Sequence, residues 1–385
     1  MVDGAFLSSR EADGRDPRLR LWCPIPAEHN PLGPEVEEGT AAWIRRHRLD
    51  VETPDQDRLA LSVWICRCTA LLCPDAPLEQ LQIAAEFNVW VNAMDDHVDL
   101  PGGARDAAKA TVRLAQLVRP AEAPESAPLD GSPLGAALAD VAVRLSRCAT
   151  SAQLARFAER FRHGMFCWAW QRSLLEDGEE HDLNEYATLR LGATFVPVYA
   201  ALCEIVHGYR LDGGELATPP VRALTEMTSW LIGLHNDVHS WAKEEASDSP
   251  DINAVTVLAR ETDGDLDEAL TRALALSNQV MALFVRLRDH TRAQASDALR
   301  LHLRDLGRLI AGALEYHLRM PHYRRGLKPG HRELLDRIWV DTGPADVDPG
   351  PPPALASIAW WWQQLPEASP CSSRSQPLDG REESP

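Results

Sequence analysis

Between about residue 36 and residue 325, apolar residues recur at spacings of three and four, and the alternation that marks a strand is scarce. The pattern predicts helices over roughly 36–48, 55–74, 77–97, 104–118, 132–148, 152–176, 183–207, 219–246, 263–291 and 294–320. The expected fold class is therefore all-α, a single large helical bundle. PAEAPESAPLDGSP at 120–133 is expected to be an exposed loop, because each proline lacks a backbone donor and clashes with the preceding turn. LDGGELATPP at 211–220 puts glycines where a helix stops and prolines where the next begins.

Composition shifts mark three segments: a flexible start (1–20), the helical domain (21–340) and a Pro/Gly-rich tail (341–385). The tail, from DTGPADVDPGPPPALAS to EASPCSSRSQPLDGREESP, is expected to lie outside the core and to be disordered in part. Within it, Ile358-Ala359-Trp360-Trp361-Trp362 is too apolar to stay solvated and is a candidate to dock on the bundle.

A formal charge of −18 excludes the basic face that nucleic acid or anionic lipid would need. An anionic substrate would have to be held by metal ions or by a few placed cations. The start has no basic segment followed by an apolar one, and no uninterrupted apolar run of membrane-spanning length is read. The expectation is a cytoplasmic protein without an integral membrane segment. Eight cysteines scattered through apolar helical stretches read as reduced core thiols, and ICRC at 65–68 has too few neighbouring ligands for zinc.

Two stretches carry candidate chemistry. EQLQIAAEFNVWVNAMDDHVDLPGG ends a helix with Asp95, Asp96 and Asp99, which can project from nearly one face. Three acids at a helix C-terminus repel its partial negative charge, each at a few tenths to about 1 kcal/mol, so a cation should compensate. Mg²⁺ is the natural candidate, held by carboxylates and substrate phosphates, and a solvated acidic helix end is the bland alternative. In LHNDVHSWAKEEASD, Asn236, Ser240 and Glu244 progress by four and form one stripe of oxygen ligands, with Lys243 beside them to meet phosphate oxygens. His235 and His239 have zinc spacing, but Asn236 stands where that pattern needs glutamate; they are expected to decorate a helix flank.

DDHVD at 95–99 and NDVHSWAKE at 236–244 resemble the aspartate-rich and NSE motifs of bacterial class I terpene synthases, in the same order and about 140 residues apart. The resemblance spans roughly residues 20 to 330 and includes Cys23-Pro24-Ile25-Pro26 with Asn30-Pro31 near the start. It implies a Mg²⁺-dependent cyclase with three ions per site, working as monomer or homodimer. Such an enzyme ionises farnesyl or geranylgeranyl diphosphate and cyclises the cation to a sesquiterpene or diterpene, with release of diphosphate. The metal ligands would be Asp95, Asp96, Asp99, Asn236, Ser240 and Glu244. By the same resemblance Arg190, 46 positions before Asn236, would sense the diphosphate, and Ala193 and Thr194 would fall on the family's linker and effector positions. Ala193 departs from the more usual polar linker.

The family's closing Arg-Tyr pair reads His322-Tyr323 in this chain, so Arg319, Arg324 or Arg325 would have to supply the lost charge. Tyr316 takes a position where tryptophan is common. Arg190, Lys243 and Tyr323 would act on the diphosphate, and Phe87, Trp90, Phe195 and Tyr316, with Phe166, Trp170 and Trp230, are candidates for the cavity wall. Isoprenyl chain-elongating enzymes are the nearest rival, but they carry a second aspartate-rich motif where this chain has Asn236, Ser240 and Glu244. A non-catalytic helical binding protein would leave the double motif and Arg190 unexplained.

Overall fold

The computed structural model describes residues 15–49, 58–99, 107–129, 131–178, 180–245, 252–324, 327–344 and 347–366. Apolar periodicity resolves into α1 (Gly33–Arg46), α2 (Arg58–Leu72), α3 (Leu78–Asp99), α4 (Ala107–Glu122), α5 (Pro133–Cys148), α6 (Ser151–Asp177) and α7 (Leu183–Ala193). There follow α8 (Val196–Val206), α9 (Gly213–Leu216), α10 (Pro219–Glu245), α11 (Ala254–Glu261), α12 (Leu266–Arg292), α13 (Asp297–Arg319) and α14 (Pro329–Arg337). Local sequence sets many of these limits. Thr150 and Gln153 close a capping box at the start of α6, and Gly178, at φ +72°, ends that helix in the left-handed region. Asp265 and Ser296 cap α12 and α13 through the backbone N–H of Glu268 and Leu299.

α10 runs through the bundle and packs on α12, α13, α7, α8 and α11, while α3 lies against α1, α2 and α5. Gly312 permits the close crossing of α13 over α2, since a Cβ there would lie 2.7 Å from the Leu71 carbonyl oxygen. A short parallel pair, β1 (Arg20–Trp22) with β2 (Trp339–Asp341), joins the two ends of the domain in the register Leu21 to Val340. Asn278 of α12 fixes it from below, accepting from Trp22 N at 2.7 Å and donating to Arg20 O at 2.8 Å.

Several expectations need correction. The helix expected over 183–207 is two helices, broken at Thr194 and Phe195, and α11, α14 and the strand pair were not foreseen. Strands of three residues are too short for alternation to register. α4 continues through Pro120 to Glu122, because a proline in the last turn forfeits little of the helix ladder; the exposed loop starts later than 120. One stretch, Leu183–Val206, passes by length and mean composition for a membrane-crossing helix, but it carries Glu185, Arg190 and Glu204 and is not an uninterrupted apolar run. It is interrupted at 194–195 and 72% buried inside the bundle, which explains its apolar character.

The tail beyond 341 was expected to lie outside the core, and for residues 347–366 that is corrected. Leu355, Ile358 and Trp361 are buried, and the Trp361 indole N–H donates to Glu226 Oε2 of α10 at 2.8 Å. Ser357 donates from both its backbone N and its hydroxyl to Asn184 Oδ1 at the start of α7, at 3.0 Å each. Among the described residues the cysteines are free, and all but Cys148 are buried. Replacing Trp361 by alanine is expected to lower the unfolding free energy by about 3–5 kcal/mol, the usual loss for a buried tryptophan, as measured by urea denaturation. A loss below about 1 kcal/mol would show that the tail is dispensable to the core.

Candidate active site

A cavity of about 220 Å³ opens between α3, the α7–α8 break, α10, α13 and the 3₁₀ turn Pro321–Arg324. On α3, Asn88, Asn92 and Asp95 share one face at helical spacing and line it, rising about 10 Å along the axis from floor to mouth. Asn88 is buried and Asp95 is exposed. Asp96 and Asp99 lie in the last turns of α3, and their side chains fall outside the described residues, as does the side chain of His322.

Asn236 lines the cavity opposite, from α10, whereas Ser240, Lys243 and Glu244 continue one to two turns beyond and do not line it. Asn253, the N-cap of α11, organises that continuation: its Nδ2 donates to Glu244 Oε2 at 2.8 Å and to Ser240 Oγ at 3.5 Å. Its Oδ1 accepts from Val255 N at 2.8 Å, which fixes which end of the amide faces the acids. Asn253 was missed in the sequence, and the signal that could have found it was its place before a helix that was itself unseen.

Arg190, buried on α7, pairs with Asp237 of α10 and donates to Asn236 Oδ1 at 3.5 Å. Asp237 also accepts from the Tyr186 hydroxyl at 2.6 Å and from Ala254 N at 2.7 Å, so its carboxylate is satisfied on several sides before any ligand arrives. Burial, reinforced by Asp237, pushes the Tyr186 hydroxyl well above its ordinary pKa, and it stays a donor. The sequence analysis assigned Asp237 no role; the structure puts it at the centre of this network.

The α7–α8 break projects into the same space. Phe195 sits at φ +58°, a conformation that strains a bulky residue by about 1–3 kcal/mol and persists only when its surroundings enforce it. Here the Trp168 ring lies 4.2 Å from the Phe195 ring, and the Trp168 indole N–H donates to Ala193 O at 2.9 Å. On α10, Gly233 makes room, for a Cβ there would meet the Thr194 methyl at 2.9 Å. Ala193, Thr194 and Phe195 all line the cavity.

At the end of α13, Tyr316, His317 and Tyr323 line the cavity, and Asn236 Nδ2 donates to the Tyr323 hydroxyl at 3.0 Å. Of the arginines weighed as substitutes at the Arg-Tyr pair, Arg319 pairs with Glu315 and Arg324 with Asp336, and neither lines the cavity; Arg325 lies outside the described residues. Of the wall candidates, Phe195 and Tyr316 line the cavity and Phe87 and Trp90 do not. Both of the latter pack into the aromatic core behind the wall, where the Phe87 ring stacks on Trp90 at 6.2 Å and packs edge-on to Phe157 at 5.5 Å and to Tyr199 at 5.9 Å. The Trp90 indole is satisfied by Leu134 O at 2.8 Å, and one residue of rotation, 87 to 88, separates core from cavity. Phe166 is 66% exposed and Trp230 is buried beside Tyr186. Trp168 and Tyr199 line the wall instead.

His235 and His239 do not decorate a flank; both are fully enclosed. The His235 Nε2 lies 2.9 Å from Ser277 Oγ, and His239 Nδ1 donates to the His235 carbonyl at 2.6 Å. Among the described residues no third ligand of the His, Cys, Asp or Glu type joins them. The oxygen donors Asp95, Asn236, Ser240 and Glu244 instead have the chemistry of a hard divalent cation, and a metal of that kind fits them.

Carboxylates on one helix, an Asn-Ser-Glu stripe on another, and a pre-paired arginine beside a cavity with aromatic and aliphatic wall residues are the features of an ionising, metal-dependent isoprenoid enzyme in an all-α fold. Comparison with known proteins agrees. Residues 86–282 match the family model described as terpene synthase family 2, C-terminal metal binding. The chain is 32% identical to bonnadiene synthase of Allokutzneria albata over 89% of its own length and 96% of that protein's. It is 32% identical to (+)-T-muurolol synthase ((2E,6E)-farnesyl diphosphate cyclizing) of Streptomyces clavuligerus, over 91% of this chain and 83% of that one. The crystal structure of an ancestrally reconstructed protein, SVS_A2, superimposes with a TM-score of 0.76 at 27% identity, covering 90% of this chain and 99% of that one. The chain belongs to the bacterial class I terpene synthases and is a terpene cyclase with a metal-binding site. The chain-elongating alternative is not supported.

Two outcomes follow from the buried groups. Asp237→Ala is expected to lower stability by about 3–5 kcal/mol in urea denaturation, because the buried Arg190 loses its Asp237 carboxylate; a change below about 1 kcal/mol would show that Arg190 does not depend on it. Burial lowers His235 to about 3 and His239 to about 4, from the ordinary 6.5. The unfolded chain therefore binds protons that the folded one refuses, so this contribution to stability is complete above about pH 6.5 and declines as pH falls toward 4, by up to about 1.4 kcal/mol per pH unit for each imidazole. Urea midpoints that stay flat between about pH 7 and about pH 4.5 would show that the two rings protonate in the native state.

Proposed function

We propose that this cyclase ionises farnesyl diphosphate by preference, with geranylgeranyl diphosphate second, in the presence of Mg²⁺. The observation that carries the reading is Arg190: buried, oriented by Asp237, in contact with Asn236 and standing at the cavity between the acidic end of α3 and α10. The farnesyl preference is supported by the substrate named for the T-muurolol synthase relative. It is supported also by the cavity of about 220 Å³, which is small beside the roughly 300–1,000 Å³ of most small-molecule sites.

Asp95, with Asp96 or Asp99, would hold metal from α3, and Asn236, Ser240 and Glu244 from α10. Mg²⁺, three ions by family resemblance, supplies positive charge that stabilises the departing diphosphate. Arg190, Lys243 and Tyr323 clamp phosphate oxygens, and His322 offers a donor where arginine is usual. As the allylic C–O bond breaks, its electron pair leaves with the diphosphate and a carbocation remains against the rings of Phe195, Trp168 and Tyr316. Aromatic faces attract that charge without a lone pair to trap it.

Incubation with geranyl, farnesyl, geranylgeranyl and geranylfarnesyl diphosphates plus Mg²⁺, followed by gas chromatography with mass spectrometry, is expected to give cyclic products from farnesyl diphosphate first. Release of diphosphate from none of the four would overturn the reading. Asn236→Ala combined with Glu244→Ala is expected to abolish turnover while the helical circular dichroism signal persists; retained turnover would remove the α10 stripe from the metal site.

A further inference from the structure

The cavity is lined in part by apolar side chains, among them Leu72, Val196, Leu309 and Ala313. Into it project the amides of Asn88 and Asn92 and the hydroxyl of Tyr199. The Asn88 oxygen is saturated: it accepts from the Tyr199 hydroxyl at 2.7 Å and from Asn92 Nδ2 at 3.2 Å, while Asn88 Nδ2 donates to Thr69 Oγ1 at 3.0 Å. Asn92 differs. Its Nδ2 also donates to the Asn88 main-chain carbonyl at 2.8 Å. Only the NH₂ end can face a carbonyl oxygen, so the amide is oriented and its Oδ1 is the end turned away. Among the described residues that Oδ1 has no hydrogen-bond partner.

A hydrocarbon offers an amide oxygen nothing, so an acceptor left open in this wall would be unsatisfied whenever the cavity holds only hydrocarbon. A water molecule would satisfy it, provided that two or more polar groups meet at one place. They do: Asn92 and Tyr199 hydrogen-bond the same oxygen of Asn88 and are therefore neighbours, and Tyr199, whose proton goes to Asn88, keeps an oxygen lone pair to offer. Burial holds the Tyr199 phenol well above its ordinary pKa, so it remains neutral.

We propose that Asn92 Oδ1 and the Tyr199 hydroxyl together bind one water molecule in the depth of the cavity and present it to the final carbocation, so that the main product is a terpene alcohol. This rests on the terpene cyclase reading above and adds what ends the cascade. The water oxygen donates a lone pair to the cationic carbon and a C–O bond forms. One O–H bond of that water then breaks, and its proton moves along the hydrogen bond to Asn92 and on to the released diphosphate, the strongest base in the cavity. Without the held water, the cation would instead lose a proton from a neighbouring carbon and leave as a hydrocarbon.

The experiment uses the full chain with Mg²⁺ and farnesyl or geranylgeranyl diphosphate in water labelled with heavy oxygen. Released diphosphate and products are quantified together. The wild type is expected to give mostly an alcohol carrying the heavy isotope, and Asn92→Leu and Tyr199→Phe are each expected to lower the alcohol per diphosphate released by about tenfold in favour of hydrocarbon. Tyr199→Phe keeps the ring and guards against a folding failure of the leucine variant. A wild type that releases diphosphate but yields only hydrocarbon overturns this proposal and leaves the cyclase reading standing, as does an unchanged alcohol fraction in the folded variants. A wild type that releases no diphosphate overturns the cyclase reading itself.

Discussion

The buried ion pair between Arg190 and Asp237 is the constraint on which the site depends. A guanidinium away from water is tolerated only if its charge is met and its partner is itself hydrogen-bonded, and both conditions hold. Asp237 draws in the Tyr186 hydroxyl from α7 and the first backbone N–H of α11, so three helices converge on one carboxylate. Because the pair spans α7 and α10, it also fixes where the break after α7 can fall. Gly233, with no side chain, lets Thr194 press against α10 there, and Phe195 is held in its strained backbone by Trp168.

Charge is distributed to the same end. The chain carries −18 overall, and a trianionic substrate can approach only where that charge is reversed locally. In the proposed reading the acidic end of α3 and the Asn-Ser-Glu stripe of α10 are two sides of a metal site rather than isolated acids, and Arg190, paired with Asp237, is the fixed cation between them. Along α3 the cavity lining is graded, from the exposed Asp95 to the buried Asn88.

Much of this was legible before any fold was known. A period near 3.6 marked the long helices, and α10 was bounded nearly to the residue because LDGGELATPP stops one helix and starts the next. Elements of three to nine residues were invisible, as β1, β2 and α14 show, because so few positions cannot establish a period. The split of α7 from α8 was invisible for another reason: VPVYAALCEIV is apolar but for Glu204, so the helical pattern runs straight across a turn that tertiary packing imposes. The tail was misjudged on its prolines, although its tryptophans carried the opposing signal.

By itself the sequence determined the class of chemistry, because ligand type and spacing on a helix are one-dimensional facts: Asp95 near Asp99, and Asn236, Ser240 and Glu244 at steps of four. Which side of a helix meets a cavity is not such a fact. Phe87 and Asn88 are adjacent in the chain, yet one packs into an aromatic core and the other into the cavity, since each residue turns the helix by about 100°. Only the tertiary structure could decide that His235 and His239 are buried core groups, that Asp237 and Asn253 organise the site, and that Asn92 turns an open oxygen to the substrate's end of the bundle. In each case the deciding physics is what lies opposite the side chain, and that is set by neighbours far away in sequence.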